Sequence, residues 1–179
     1  MRERSEHPRL TVAVGERDHV QGNADAPLTL VEYGDYECPY CGAAYPIVKE
    51  IQRALGDELR FVFRNFPLGE IHPHAVQAAE SAEAAAAQGR FWEMHDALYE
   101  NQRQLRTNDL LSYAQRFGLD VEEFERALNE HTYEPRIQED FLSGARSGVN
   151  GTPTFYVNGV RHDDSYDFDT LVAALRAAR

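Results

Sequence analysis

Helical and strand-forming patterns are segregated along this chain. From His72 to Gly148 the pattern is helical throughout, and strand patterns occur only before and after that segment. No repeat, low-complexity tract or flexible linker separates the regions. We therefore expect a single α/β domain spanning residues 1–179, with a core at about 10–70 and 149–179 and an all-helical insertion at about 71–148.

The region before the insertion predicts a strand–helix–strand unit. Residues 11–14 predict a short edge strand, and residues 28–33 predict a strand that is apolar on both faces. Helical spacing of apolar residues predicts a helix over 39–55, with Gly56 as its stop. Residues 59–64 alternate in character and predict a second strand, which completes a βαβ unit.

The region after the insertion predicts a hairpin and a helix. Residues 154–157 form a strand pattern that runs into Asn158-Gly159, a strong signal for a two-residue turn, and then into Val160. A last helix is expected around Leu171 to Leu175. A βαβ half before the helical insertion and a ββα half after it would thus flank the insertion.

Charge and hydropathy exclude several partners. The formal net charge is −12 and the pI about 5.0, so the chain should be repelled by nucleic acid and by anionic lipid. No apolar stretch is long enough for a membrane span. The first eight residues have no apolar run after their charges and do not resemble a secretory signal. These features predict a cytoplasmic protein, or a periplasmic or extracellular one if a leader was removed.

The two cysteines, Cys38 and Cys41, are the residues most indicative of chemistry. They are the whole cysteine content of the chain, and a bond between them would close a very small loop. Such a bond contributes little stability and is easily made and broken. A structural disulfide is therefore disfavoured, and so is a zinc site within one chain, because no second cysteine pair exists. A metal shared between two chains remains an alternative.

The position of the pair suits thiol chemistry. Cys38 lies at the expected N-terminus of a helix, where free amides and the helix dipole favour a thiolate. Cys41 is one helical turn further on and lies beside it. It could therefore attack a mixed disulfide formed at Cys38. Pro39 suits the first helical turn.

Four segments together resemble the DsbA-like thioredoxin-fold oxidoreductases. A CxxC motif alone is weak evidence, but the segments occur in the family's order and spacing from about residue 20 to the C-terminus. They are 31–41, which holds Cys38-Pro39-Tyr40-Cys41; 64–68; 89–95; and 148–155 followed by 157–159. The resemblance implies a thioredoxin fold, with a mixed central sheet, flanking helices and a helical insertion.

The resemblance also implies roles for further residues. Pro153 matches a cis-proline loop that faces the redox pair and aligns a bound peptide, and Thr152 would lie close to Cys38. We expect substrate contacts at Thr152, Pro153, Pro39 and Tyr40. Glu32 matches an acidic position beneath the pair, where a buried carboxylate could take the proton of Cys41. The alternative for Glu32 is a solvated residue at an edge.

Other titratable residues are expected to have ordinary positions. His95 lies on an apolar helix face and should be packed. Surface placement is expected for the remaining candidates, His72, His74, His131 and His162. Asp35 and Glu37 flank the motif and would either temper the acidity of Cys38 or repel acidic partners.

The sequence therefore predicts a protein-disulfide oxidoreductase that needs no cofactor or metal and acts as a monomer. Its partners would be thiol- or disulfide-containing proteins or peptides, with glutathione or a thioredoxin-type reductant as a further partner. The Pro-Tyr pair between the cysteines and a cytoplasmic address favour a reductase or isomerase. Two alternatives remain: a glutathione-dependent transferase or isomerase of thioredoxin fold, and a non-enzymatic module that binds metal or peptide.

Overall fold

Five strands form one mixed sheet in the computed structural model, which describes residues 6–179. The strand order is β1-β3-β2-β4-β5, with β2 and β3 parallel and all other neighbours antiparallel. The predicted α/β class is confirmed, and strands from both sides of the helical segment share this sheet. The strands are β1 (His19–Gly22), β2 (Leu28–Gly34), β3 (Leu59–Asn65), β4 (Thr154–Val157) and β5 (Val160–Arg161).

Residues 1–5 lie outside the described range. The first eight residues, which the sequence analysis compared with a secretory signal, and the beginning of the expected domain fall partly on them. The boundaries expected for core and insertion stay a prediction. Within residues 6–179, no helix combines the length and the apolar character that crossing a bilayer requires.

Seven α-helices surround the sheet in the described part of the chain. The first begins at Pro39 and ends at Leu55, as predicted, and Gly56 follows it with a φ of +50°. The helical segment between the strands contains five helices, which confirms its predicted character. The helices are α1 (Pro39–Leu55), α2 (Ala75–Ala86), α3 (Phe91–Glu100), α4 (Thr107–Arg116), α5 (Val121–Asn129), α6 (Glu134–Arg146) and α7 (Phe168–Ala177).

Both faces of the central strands are buried. On one face Leu30 and Phe61 pack into the larger apolar core together with residues of α1, α7 and the inserted helices. On the other face Val31 and Val62 pack near Phe141 of α6. The alternating exposure expected for β3 is therefore wrong, because helices cover the strand on both sides.

The expected edge strand at residues 11–14 is also wrong. The edge strand is β1, which pairs antiparallel with β3. The backbone of the 11–14 segment is bonded to side chains instead: the amide of Thr11 donates to Ser147, and the carbonyls of Val12 and Ala13 accept from Arg64. These bonds satisfy polar groups that a sheet would otherwise have to pair.

The C-terminal hairpin forms at the predicted turn. Asn158 and Gly159 both have positive φ, +46° and +83°, which matches the twist that joins two adjacent strands. β4 enters the sheet opposite the end of β2, with Thr154 paired to Tyr33. The loop before β4 therefore meets the loop after β2, and these are the loops that carry Thr152 and Cys38.

Candidate active site

Cys38 directly precedes α1 at its N-cap position, four residues after β2 ends at Gly34. Its backbone is extended, with a φ of −68° and a ψ of +122°, and Pro39 is the first residue of the helix. Proline has no amide hydrogen to leave unpaired there and its fixed φ suits the first turn. Cys38 and Cys41 are both buried free thiols, whereas Tyr40 between them is 66% exposed.

The loop before β4 closes over Cys38. The Sγ of Cys38 lies 3.6 Å from the carbonyl oxygen of Thr152, and the Thr152–Pro153 peptide bond is cis. The hydroxyl of Thr152 is buried and has no hydrogen-bond partner among the described residues. The structure thus brings Thr152 and Cys38 together, and the Thr152 hydroxyl is not engaged by another described residue.

The surroundings of Cys38 favour its thiolate. A hydrogen bond from the Cys41 thiol lowers the pKa of Cys38 to about 5, with further contributions from Thr152 and from the backbone amides of Cys41 and Tyr40. Burial opposes this effect without cancelling it. At neutral pH the Cys38 sulfur is therefore ionised, which is the form that attacks disulfides.

The surroundings of Cys41 act in the opposite direction. Burial raises the pKa of the Cys41 thiol well above its usual range, and its hydrogen bond to Cys38 and the charge of Glu32 add to the effect. Cys41 is therefore protonated at neutral pH. It becomes a nucleophile only when a nearby base removes its proton.

Glu32 is a buried carboxyl group beneath the cysteine pair. It is 2% exposed on the central strand β2, so the alternative of a solvated edge residue is wrong. Its Oε1 atom has no hydrogen-bond partner among the described residues. Burial, followed by the negative charge of Cys38, raises the pKa of Glu32 to about 8. A carboxyl group with that pKa can accept and return a proton near neutral pH.

A glutamine of the insertion contacts the active-site segment, which the sequence did not predict. Gln102 donates from Nε2 to the carbonyl oxygens of Tyr36 and Cys38, at 3.0 and 2.9 Å. Its side-chain oxygen occupies the space that a Cβ on Gly42 would need. No local pattern marks Gln102, because its partners lie 64 and 66 residues earlier in the chain.

Asp35 and its partner His72 correct two predictions. Asp35 is buried and does not face solvent, so it cannot repel partners: its Oδ1 accepts from the amides of Glu37 and Cys38, and its Oδ2 accepts from Leu68. The surface placement expected for His72 is also wrong, since the residue is partly buried and its Nδ1 lies 2.7 Å from Asp35 Oδ2. Asp35 lies four residues before the first residue of α1 and outside the N-cap position, which Cys38 occupies, so no capping pattern marked its role.

Two further histidines bear on the predictions. His95 is buried, as expected, and its Nδ1 lies 2.9 Å from the hydroxyl of Tyr36. Burial lowers the pKa of His95 well below its usual range, so the ring is neutral and packed among aromatic side chains. His74 contacts Glu37 through its backbone amide, at 2.7 Å, and through its ring.

One group of side chains in the described range has the spacing of metal ligands. Atoms of Glu80, His131 and Glu134 lie within 4.8 Å of one another. His131 already forms a 2.8 Å ion-pair contact with the buried Glu80, and His131 and Glu134 are exposed. Neither cysteine belongs to this group, so the geometry offers no support for cysteine ligation of a metal.

Comparison with known proteins agrees with this geometry. A thioredoxin family model matches residues 15–177. BdbD from Bacillus subtilis, solved in its oxidised form, is similar with a TM-score of 0.82 and 25% identity, covering 97% of this chain and 96% of that one. A thioredoxin-like oxidoreductase from Silicibacter pomeroyi has a TM-score of 0.80 and 30% identity, covering 90% of this chain and 92% of that one.

Among curated proteins, similar sequences occur inside larger ones. A protein of Salinispora arenicola named Na(+)/H(+) antiporter NhaA 1 is 50% identical over 163 residues, which make up 91% of this chain and 25% of that protein. The chain thus spans about a quarter of the length of the curated relatives it matches.

Proposed function

The chain belongs to the DsbA-like thioredoxin-fold thiol–disulfide oxidoreductases, and on that basis we propose that it exchanges disulfides with cysteine-containing proteins through Cys38 and Cys41. The observation that carries this proposal is the asymmetry of the two thiols. One sulfur is ionised and ready to react, and the other is protonated and held beneath it.

In the reducing direction, the Cys38 thiolate attacks a substrate disulfide. A Cys38–substrate mixed disulfide forms, and the first substrate sulfur leaves as a thiolate. Cys41 then gives its proton to Glu32 and attacks the Cys38 sulfur. The second substrate sulfur leaves, and two electrons have passed from the cysteine pair to the substrate. In the oxidising direction the same steps run backwards and leave Cys38 and Cys41 reduced.

Substrate contacts are proposed for the residues that surround the Cys38 sulfur. Thr152 and Pro153 place backbone groups beside it, and such groups can align an extended peptide as an added strand. Tyr40 is exposed and Pro39 lies next to it at the rim, so both can contact a bound protein. We propose that Thr152 also donates its unpaired hydroxyl to the thiolate.

The direction of exchange depends on the reduction potential. Thiolate pKa values are about 3.5 in the strong oxidant DsbA and about 7 in thioredoxin, and a lower value stabilises the reduced form. The value of about 5 for Cys38 lies between them. We therefore propose an intermediate potential, with isomerase-like exchange or reduction in a reducing cytoplasm and net oxidation in an oxidising periplasm.

Partners follow from the same chemistry. We propose that the enzyme works as a monomer on protein thiols or disulfides, and that glutathione or a thioredoxin-type reductant resets the pair. The transport activity in the names of the curated relatives refers to whole proteins, most of whose length lies outside the match. We do not propose that activity for this chain.

The test is equilibration of the Cys38–Cys41 pair against glutathione buffers, with the oxidised fraction read by mass spectrometry after acid quenching and alkylation. We expect one reversible two-electron couple between about −270 mV, the thioredoxin value, and about −120 mV, the DsbA value. A couple within this interval supports the proposal. If no reversible couple forms, the proposed function is wrong. A Cys41→Ser variant with full activity would favour a glutathione-dependent transferase instead.

A further inference from the structure

Two carboxylate–histidine pairs hold the loop between β3 and α2 against the active-site segment. His72 contacts Asp35 at 2.7 Å, and His74 contacts Glu37 through its backbone amide at 2.7 Å. The His72–Asp35 pair is better protected from solvent than the His74–Glu37 pair. The side chains of His72 and Asp35 are 18% and 0% exposed, whereas those of His74 and Glu37 are 41% and 17% exposed. The first pair also reaches the backbone of Cys38.

Asp35 organises the start of α1. Its Oδ1 accepts from the amides of Glu37 and Cys38, at 2.8 and 3.2 Å, and Oδ2 binds the Leu68 amide of the facing loop at 2.9 Å. These bonds fix the turn that presents the Cys38 sulfur. They also place a buried carboxylate one hydrogen bond away from the backbone amide of Cys38, the residue that carries the nucleophile. A negative charge there should oppose a thiolate.

We propose that His72 is a positioning residue for Cys38: as an imidazolium ion it neutralises Asp35, so that this carboxylate can order the active-site turn without opposing the thiolate. This inference rests on the proposed function and assigns it one more residue. Without the histidine charge, Asp35 would hold Cys38 in place while disfavouring its reactive form.

The surroundings of His72 support a protonated ring. Partial burial lowers its pKa, but the hydrogen bond and charge of Asp35 outweigh this, and the charges of Cys38 and Glu37 act in the same direction. Glu37 is itself paired with His74. Because an attraction between two groups is reciprocal, His72 should also bind its proton more tightly when Cys38 is a thiolate than when Cys38 is in a disulfide.

The substitution His72→Asn tests the role of the charge. The amide nitrogen of asparagine can occupy the place of Nδ1 and keep the bond to Asp35, but it carries no charge. We expect the pKa of Cys38, read from thiolate ultraviolet absorbance, to rise. We also expect the equilibrium with glutathione to shift toward the protein disulfide by about threefold to tenfold, since one pKa unit corresponds to a factor of ten.

The matched control is His131→Asn. His131 also places Nδ1 on a buried carboxylate, Glu80, but neither residue belongs to the active-site segment. Asparagine tolerates the positive φ of 52° at this position. We expect His131→Asn to leave both the Cys38 titration and the glutathione equilibrium as in the wild type.

A second measurement uses the wild-type protein and needs no variant to fold. The ring protons of His72 are titrated by NMR in the reduced and oxidised forms, and we expect a higher pKa in the reduced form. Equal His72 pKa values in the two forms, or an unchanged Cys38 pKa in folded His72→Asn, would overturn this role. Neither of these two results contradicts the proposed function, provided that the Cys38–Cys41 pair of the wild type shows a reversible couple with glutathione. If the wild type shows no such couple, the proposed function is wrong.

Discussion

Cys38 and Cys41 lie one helical turn apart, yet the two regions around them have opposite effects. The upper region, at the rim of α1, surrounds Cys38 with donors and lowers its pKa to about 5. The lower region, between α1 and β2, buries Cys41 and exposes it to the charge of Glu32, and burial above all raises the pKa of that thiol well above its usual range. Two chemically identical side chains thus differ in their ionisation: Cys38 is an ionised nucleophile, and Cys41 is a protonated thiol.

This difference shows how a single motif supports two steps. The upper thiolate can attack without activation, and the lower thiol waits until a proton acceptor is available. The thiolate form of Cys38 is stabilised by the thiol that later displaces the substrate, because the hydrogen bond from Cys41 lowers the pKa of Cys38 most. Substitutions in one region at a time should therefore affect the two steps differently.

The largest expected effect comes from removing either sulfur. Cys38→Ser should reduce disulfide exchange to background, on the order of 1,000-fold or more, because no thiolate remains to attack. Cys41→Ser should still attack and should accumulate a stable mixed disulfide, since nothing releases the substrate. Exchange rates and non-reducing mass spectrometry measure both. A mixed disulfide on Cys38→Ser, through Cys41, would show that the regions were assigned the wrong way round.

The next effect concerns the hydrogen bond between the two thiols. We expect Cys41→Ala to raise the pKa of Cys38 by about one unit or more, since it removes the largest stabilising contribution. Cys41→Ser retains a hydroxyl donor and serves as the matched control with a pKa close to that of the wild type. Thiolate absorbance across pH measures this. Identical titrations of the two variants would mean that Thr152 and the backbone amides alone determine the acidity of Cys38.

Glu32→Gln tests the lower region. Release of the mixed disulfide should slow by about 10- to 100-fold near neutral pH, because the proton acceptor for Cys41 is lost. The early attack by Cys38 should change much less. Stopped-flow measurement of the two phases separates these steps. Equal slowing of both phases would argue against a role limited to Cys41.

The same variant has a predictable effect on stability. The pKa of Glu32 is raised from 4.5 to about 8, so the folded state favours the protonated form. That stabilisation is fully present below pH 4.5 and is lost as pH rises through about 8. Glu32→Gln should therefore gain stability relative to the wild type between pH 5 and 9, by a few kcal/mol at about 1.4 kcal/mol per pKa unit. Denaturant unfolding measures it, with the exposed Glu50→Gln of α1 as a control that should show no such trend.

The smallest effect is expected where the insertion supports the upper region. Gln102→Ala removes two hydrogen bonds to the carbonyls of Tyr36 and Cys38, which should cost about 1–2 kcal/mol of stability and slow the attack a few-fold. Gln115→Ala, at an exposed position of α4, is the control. Unfolding and exchange rates measure both variants. An unchanged attack rate in Gln102→Ala would confine this contact to stability.

Local patterns predicted much of the fold. The limits of α1 follow from Pro39 at its start and from Gly56 after its end, where a positive φ is required. The β4–β5 hairpin follows from Asn158-Gly159 for the same reason. These features depend on backbone preferences of neighbouring residues, so they can be read without tertiary information.

Patterns failed where distant residues changed the environment of a segment. Arg64 made β3 look half exposed, but its guanidinium group is buried against Asp18 at 2.9 Å and against the hydroxyl of Tyr33. The edge strand β1 was missed because its sequence is not strongly apolar and only pairing with β3 defines it. In both cases a partner far away in the chain supplied what the local sequence lacked.

The active site also combines features that depend on local sequence with features that depend on distant residues. The sequence alone determined that Cys38 and Cys41 lie at a helix start one turn apart, because spacing and helix geometry are local. The family resemblance implied a buried Glu32 and a Thr152 close to Cys38, and the tertiary structure places both residues so. Only the tertiary structure decided that His72 and Gln102 reach the active-site segment. The physical reason is that burial and charge depend on what surrounds a group in space, and these neighbours come from separate strands, loops and the insertion.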